Sequence, residues 1–83
     1  MPTVFYYRGM RIHFFANEGD PREPMHVHVD SGDACAKVWV FPSVQMASAF
    51  GYSSREQRLI IELIEARRSE IERAWNAFFR TGA

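Results

Sequence analysis

The residues best suited to chemistry are two histidines in the segment Pro24-Met25-His26-Val27-His28-Val29-Asp30. In an extended strand His26, His28 and Asp30 point to one side, with successive members roughly 6.5–7 Å apart. Imidazoles at that separation suit a shared divalent metal such as zinc, and His13 would complete a three-histidine site. His26 and His28 are also the candidate catalytic residues, since imidazole is a common general acid or base.

The same histidines fit a non-catalytic interpretation as hydrogen-bonding residues of a surface or an interface. A hydrolase needs an open metal position or a nucleophile with a base, and no serine lies in a Gly-x-Ser-x-Gly turn. The single cysteine, Cys35, is a candidate nucleophile if the strand register sets it against His28. RNA cleavage without a metal would use one histidine as acid or base, with Arg11 or Lys37 stabilising phosphate charge. The sequence leaves open whether the protein is an enzyme.

Two β-hairpins are predicted to position these residues. The first folds around Arg8-Gly9, with β-branched and aromatic residues on both sides. A two-residue turn there would put Tyr7 opposite Met10, Phe5 opposite Ile12 and Thr3 opposite Phe14.

The second hairpin is predicted from Met25–Asp30 and Ala34–Phe41 around a Ser31-Gly32 turn, which would set Val29 against Ala34 and His28 against Cys35. A three-residue turn is the alternative and would shift this register by one. A fifth short strand is expected around Val44–Ala47, and Ala16–Pro24 reads as a loop. Because side chains alternate along strands, both hairpins contribute to one predicted binding face. Its residues are Tyr6, Arg11, His13, His26, His28, Lys37 and Trp39.

From Ser53 onward the hydrophobic period becomes helical. Ser53 and Ser54 precede Glu56 and Gln57 by three residues, as in a capping box. Apolar residues then recur at helical spacing, which predicts one long amphipathic helix over 53–80 with an end free to protrude or meet a partner. The predicted fold is a single α+β domain over 1–83, with a β-rich part over 1–52. In it an antiparallel sheet of four or five strands packs on one long C-terminal helix.

Composition restricts the classes of partner. The 83 residues carry ten basic and ten acidic side chains, so long-range attraction to nucleic acid or an anionic membrane is not built into the net charge. The N-terminal residues lack a secretory signal pattern, and no apolar run is long enough to span a membrane. With one cysteine, a cytoplasmic location is expected. Aromatic, basic and histidine side chains on one face suit a protein interface, and they also suit stacking of nucleic-acid bases.

Several features together resemble a small bacterial family of unknown function, numbered 4160. They are Met1-Pro2-Thr3 before an aromatic strand and Gly9, then Asn17-Glu18, the run Pro24–Val29, and Ala74-Trp75. The resemblance covers nearly the whole chain. Members typically carry a further histidine where this chain has Gly19, and a second proline where it has Met25. Of the histidines in the family pattern, this chain therefore keeps His26 and His28. The missing histidine weakens a metal site built on the family pattern.

The resemblance implies a component of a small two-gene module of the toxin–antitoxin kind, often beside another small protein. The expected partner is the protein encoded by the neighbouring gene, or a second copy of the chain. We expect a protein-interaction domain that needs no cofactor. The alternatives are an RNA-cleaving or metal-dependent hydrolytic toxin that uses the His-x-His strand, and a nucleic-acid-binding regulator.

Overall fold

The computed structural model describes residues 3–15 and 23–79. Within them five strands precede two helices, and the strands form one antiparallel sheet in sequence order. The predicted α+β class and antiparallel sheet are confirmed, whereas most of the predicted loop Ala16–Pro24 lies outside the described residues. The elements are β1 Thr3–Tyr7, β2 Met10–His13, β3 His26–Ser31, β4 Ala34–Trp39, β5 Gln45–Phe50, α1 Ser54–Ala66 and α2 Arg68–Phe79.

The first hairpin turns at Arg8-Gly9 as predicted. Both residues have positive φ, 50° and 81°, which is the conformation that a type I′ turn requires. Tyr7 pairs with Met10 and Phe5 with Ile12, but an irregularity near the start of β1 brings Thr3 opposite His13 rather than Phe14.

The second hairpin turns one residue later than predicted. Ser31 pairs with Ala34, so the turn residues are Gly32 and Asp33, and Gly32 takes the positive φ of the first turn position. Ser31 stays in β3, where its hydroxyl bonds the Tyr52 hydroxyl at 3.0 Å. The partners therefore shift by two, which leaves every side chain on its predicted side of the sheet. The predicted Cys35–His28 pairing is wrong, since Cys35 lies opposite Asp30.

The two edge strands are both irregular. Strand β5 extends beyond the predicted Val44–Ala47. Its Ser48 pairs with Lys37 and its Met46 with Val38, so Ala47 between them has no partner and is a bulged residue. The pairing of β1 shifts between Thr3 and Phe5. Bulges twist an edge away from flat pairing and disfavour strand addition by another chain.

The helical region is two helices rather than one. Ser53 and Glu56 form the predicted capping box. The helix breaks at Arg67, whose φ of −112° and ψ of 22° are not helical, although neither glycine nor proline is near. The Arg67 guanidinium lies 3.6 Å from the Phe5 ring centroid, and Arg68 donates to the Pro42 carbonyl at 3.1 Å. These contacts attach the chain on both sides of the break to the β-rich part.

One core lies between the helices and one side of the sheet. In the described residues neither helix is long and apolar enough to cross a membrane. The expected protrusion of the helix end is wrong as far as Phe79, the last described residue: Trp75 and Phe79 pack on Phe14, with ring centroids 5.4 Å from it in each case. The buried apolar residues are Phe5, Ile12, Phe14, Val27, Val29, Ala36, Val38, Val40, Ile60, Ile64, Ile71 and Trp75.

Candidate functional site

The side of the sheet opposite the helices carries the residues singled out from the sequence. Alternation along β2, β3 and β4 places them there because their neighbours point into the core. We call this side the histidine face. The residues of it that concern the site are Tyr6, Arg11, His13, His26, His28, Asp30, Lys37 and Trp39.

The strand register brings the three histidines together. His13 and His28 are directly paired across β2 and β3, and their ring centroids are 5.6 Å apart. His26 and His28 are two residues apart on β3, with centroids 5.4 Å apart. The histidine cluster is thus a row of three rings with His28 in the middle.

His13 is buried although it lies away from the helices. Its ring is 1% exposed and packs edge-on against Phe15, with centroids 5.2 Å apart. Its Nε2–H donates to Asp30 Oδ2 at 2.7 Å. A neutral imidazole then carries an unprotonated Nδ1, and this buried atom has no hydrogen-bond partner in ranges 3–15 and 23–79. The carboxylate therefore fixes the orientation and the tautomer of the ring.

His26 is buried as well, at 0% exposure. Its ring lies 5.4 Å from Trp39 and 5.5 Å from Trp75 of α2, and its Nδ1–H donates to the Pro24 carbonyl at 2.9 Å. The histidines lie together as expected, but the expectation that they lie in the open is wrong for His13 and His26, and His26 also contacts α2 through Trp75. Aromatic neighbours cover both rings, and alternation along a strand gives no information about such cover.

The accessible part of the histidine face is formed by other side chains. Tyr6 is 68% exposed, while Arg11, His28, Lys37 and Trp39 are half-buried. Lys37 Nζ lies 4.4 Å from the Trp39 ring centroid and 3.3 Å from Glu23 Oε1. Arg11 Nε donates to the Thr3 hydroxyl at 2.8 Å. This surface combines aromatic rings with both signs of charge.

Metal binding would compete with bonds that the histidine nitrogens already make. His13 Nε2 is taken by Asp30 and His26 Nδ1 by the Pro24 carbonyl. Among the residues that the structure describes, no group of three or more His, Cys, Asp or Glu side chains is arranged to hold a metal ion. Metal binding by His13, His26 and His28 remains a prediction from the sequence.

Some important contacts of the face were not predicted from the sequence. Asp30 was placed on the correct side, but its bond to His13 depends on the β2–β3 register, in which His13 and Asp30 are diagonal neighbours. The contact of Trp75 with His26 depends on the path of α2 past the start of β3. The alternation of His26, His28 and Asp30 was the available signal for the Asp30–His13 bond. No sequence signal identified the Trp75–His26 contact.

The fold and the face together define a class of protein. A five-stranded antiparallel meander with both described helices on one side, and a histidine face on the other, is a small two-layer α+β domain. The chain belongs to the family described as Domain of unknown function (DUF4160), whose sequence profile matches residues 9–76, more than half of the chain. The match includes every strand of the histidine cluster. Neither the curated proteins nor the solved structures gave a match.

Proposed function

We propose that this domain is a protein-binding component of a two-gene module of the toxin–antitoxin kind. It binds a small protein encoded by the neighbouring gene through the accessible part of the histidine face. The family is one of unknown function, so the surface chemistry of the face is what supports the interaction role.

The observation that carries this proposal is that buried, hydrogen-bonded histidines and accessible aromatic side chains lie on the same face. His13 and His26 are held by hydrogen bonds and aromatic packing, so they form a fixed floor. Tyr6 on β1 and Trp39 on β4 flank the histidine strands and have accessible ring surface. Tyrosine, tryptophan and arginine dominate the binding energy of protein interfaces, and a rigid floor lowers the entropy cost of binding.

An apolar groove beside Trp39 extends the proposed surface. It is lined by Pro24, Trp39, Phe41, Pro42, Ser43 and Gln45, and Phe41 is largely exposed. An aromatic side chain of a partner that enters this groove would be desolvated next to Trp39. Central, desolvated pockets of this kind are where interface hot spots form.

The proposal is tested by producing the chain together with the protein encoded by the neighbouring gene and measuring binding by calorimetry. We expect one complex, weakened about tenfold or more by Tyr6→Ala or Trp39→Ala. Leu59→Ala, on α1 and outside this face, is the matched control and leaves the affinity unchanged. Absence of a complex with that protein, in a sample whose chain is folded and monomeric by size exclusion, overturns the proposal.

A hydrolytic or RNA-cleaving role is the second candidate, favoured by the His13–Asp30 contact of 2.7 Å. A carboxylate that orients a histidine is a recurring part of acid–base sites. His28, beside His13, is the most accessible of the three rings, and Arg11 and Lys37 could stabilise phosphate charge on the same face.

This candidate predicts that expression of the chain arrests growth and that His28→Ala abolishes the arrest. His28→Ala protein that folds normally and remains as toxic as the parent would exclude His28 from catalysis. A titration with zinc, followed at the imidazole resonances of all three histidines, tests the metal-dependent form. Resonances that do not respond at stoichiometric zinc would exclude that form.

A further inference from the structure

A second apolar groove lies on a different part of the molecule, between α1 and the tip of the β1–β2 hairpin. Two adjoining cavities share Arg8, Met10 and Leu59 as lining residues and therefore form one continuous groove. One end is closed by Ser31, Tyr52 and Glu56, and the other by Leu63 and Ala66. None of these residues belongs to the histidine face.

The shape of the groove follows from α1. Glu56, Leu59, Leu63 and Ala66 recur every three or four residues and so form one stripe along the helix axis. From Glu56 to Ala66 this stripe is about 15 Å long at the helical rise per residue. A partner helix of about three turns has the same length.

The floor of the groove is apolar and accessible. Leu59 is 55% exposed and Tyr7 38%, while Met10 and Leu63 are partly buried against the core. A leucine that is half exposed beside other apolar side chains is a typical anchor contact for an amphipathic helix.

The charges at the rim are unpaired within the part of the chain that the structure describes. Arg67, Arg68 and Lys37 each have an acidic partner there, whereas Glu62 and Arg8 have none. The Arg8 guanidinium instead lies 5.5 Å from the Tyr7 ring centroid. Glu62 is on the α1 side of the groove and Arg8 on the hairpin side. The two rims therefore carry opposite charges that a partner could complement.

We propose that this groove binds an amphipathic helix of another protein, with its apolar stripe on Leu59 and Met10, a basic flank against Glu62 and an acidic flank against Arg8. This second docking surface is independent of the proposed role of the histidine face. A small-molecule ligand fits less well, because the groove is long and open rather than enclosed.

The test uses a synthetic 15-residue helical peptide as the probe. Its leucines are spaced three and four residues apart, with lysines on one flank and glutamates on the other, and binding is measured by fluorescence anisotropy. We expect binding that Leu59→Ala weakens about tenfold, and that Glu62→Lys or Arg8→Asp weakens about threefold each. Aspartate is chosen at position 8 because it tolerates the positive φ of the turn.

The double variant Arg8→Asp/Glu62→Lys gives the sharpest readout. Reversing a helix about its apolar stripe exchanges its two flanks, so the same peptide should bind this variant in the opposite direction with restored affinity. Tyr6→Ala, on the histidine face, should leave peptide binding unchanged, which separates this surface from the one above. The proposal is overturned if the peptide does not bind the folded parent, if Leu59→Ala has no effect, or if the double variant is not restored.

Discussion

Both sides of the sheet carry fully buried side chains, but different neighbours bury them. The helix-covered side is apolar, with aliphatic and aromatic residues, and Ile60, Ile64 and Ile71 cover it at helical spacing. On the histidine face, His13 and His26 are just as inaccessible, but Phe15, Trp39 and Trp75 cover them, and one nitrogen of each ring makes a hydrogen bond. Alternation along a strand therefore determines which side a residue occupies, and it does not determine whether that side is exposed.

The difference also separates two kinds of stabilisation. Burial on the helix-covered side depends on volume and apolar area, so its loss scales with the atoms removed. Burial on the histidine face depends on the imidazole N–H donors of His13 and His26 keeping their acceptors, since an unsatisfied buried donor destabilises the fold. The effects of mutations on the two sides should therefore differ in magnitude and in the measurement that detects them.

The largest expected effect is at Trp75, which contacts both sides through Phe14 and His26. Trp75→Ala should lower the free energy of unfolding by about 3–5 kcal/mol, because it leaves a cavity and uncovers the imidazole. Urea denaturation followed by circular dichroism measures this loss. Asn76→Ala, an exposed neighbour on α2, should change stability by less than about 0.5 kcal/mol. A Trp75→Ala loss as small as that of the control would mean that α2 does not join the two sides.

A slightly smaller loss is expected from the helix-covered side alone. Ile64 is fully buried in the core, and Ile64→Ala should cost about 2–4 kcal/mol through lost burial and a residual cavity. The same denaturation experiment applies, with exposed Glu65→Ala as the matched control. The imidazole resonances should not move in Ile64→Ala; shifts as large as those of Trp75→Ala would show that the two sides are not energetically separate.

The fold could be predicted further from the sequence than the site could. Apolar periodicity and the Arg8-Gly9 and Ser53–Glu56 signals predicted the first hairpin turn, the strand faces and the helix start, because each depends on local chemistry. The break at Arg67 was missed, since contacts with Phe5 and Pro42, which are distant in sequence, accompany it. The second turn was misplaced by one residue.

The site was predicted less completely because it depends on register between strands. The His13–Asp30 bond needs β2 and β3 aligned as they are, and the cover over His26 needs the path of α2. Neither alignment is encoded in a short motif. Sequence patterns thus identified which residues share a face and left their exposure and partners undetermined.

A moderate effect is expected at Asp30, the acceptor for His13. Asp30→Ala should cost about 1–2 kcal/mol, because a buried imidazole N–H loses its partner. Asp30→Asn retains an acceptor oxygen and should recover part of that loss. Proton–nitrogen correlation spectra should show His13 protonated at Nε2 in the parent and a mixture of tautomers in Asp30→Ala. An unchanged tautomer in Asp30→Ala would mean that the carboxylate does not orient this ring, and exposed Asp33→Asn serves as the control.

The smallest expected effect is at Tyr52, which joins β3 to the start of α1. Its hydroxyl donates to the Val29 carbonyl at 3.3 Å and accepts from Ser31. Burial raises the pKa of Tyr52 above its usual value of 10.0. The neutral form is thus favoured by folding, and its contribution is complete below pH 10 and lost as the pH rises through the folded-state pKa.

Tyr52→Phe should therefore lower the free energy of unfolding at neutral pH by about 0.5–1 kcal/mol and flatten the alkaline decline of stability. Urea denaturation at several pH values from neutral to strongly alkaline measures both effects. Tyr6→Phe, on the exposed part of the histidine face, should change neither. Equal alkaline declines in the parent and Tyr52→Phe would show that this hydroxyl is not held by the fold. Polar burial would then stabilise the molecule only on the histidine face, and the junction of β3 with α1 would depend on packing alone.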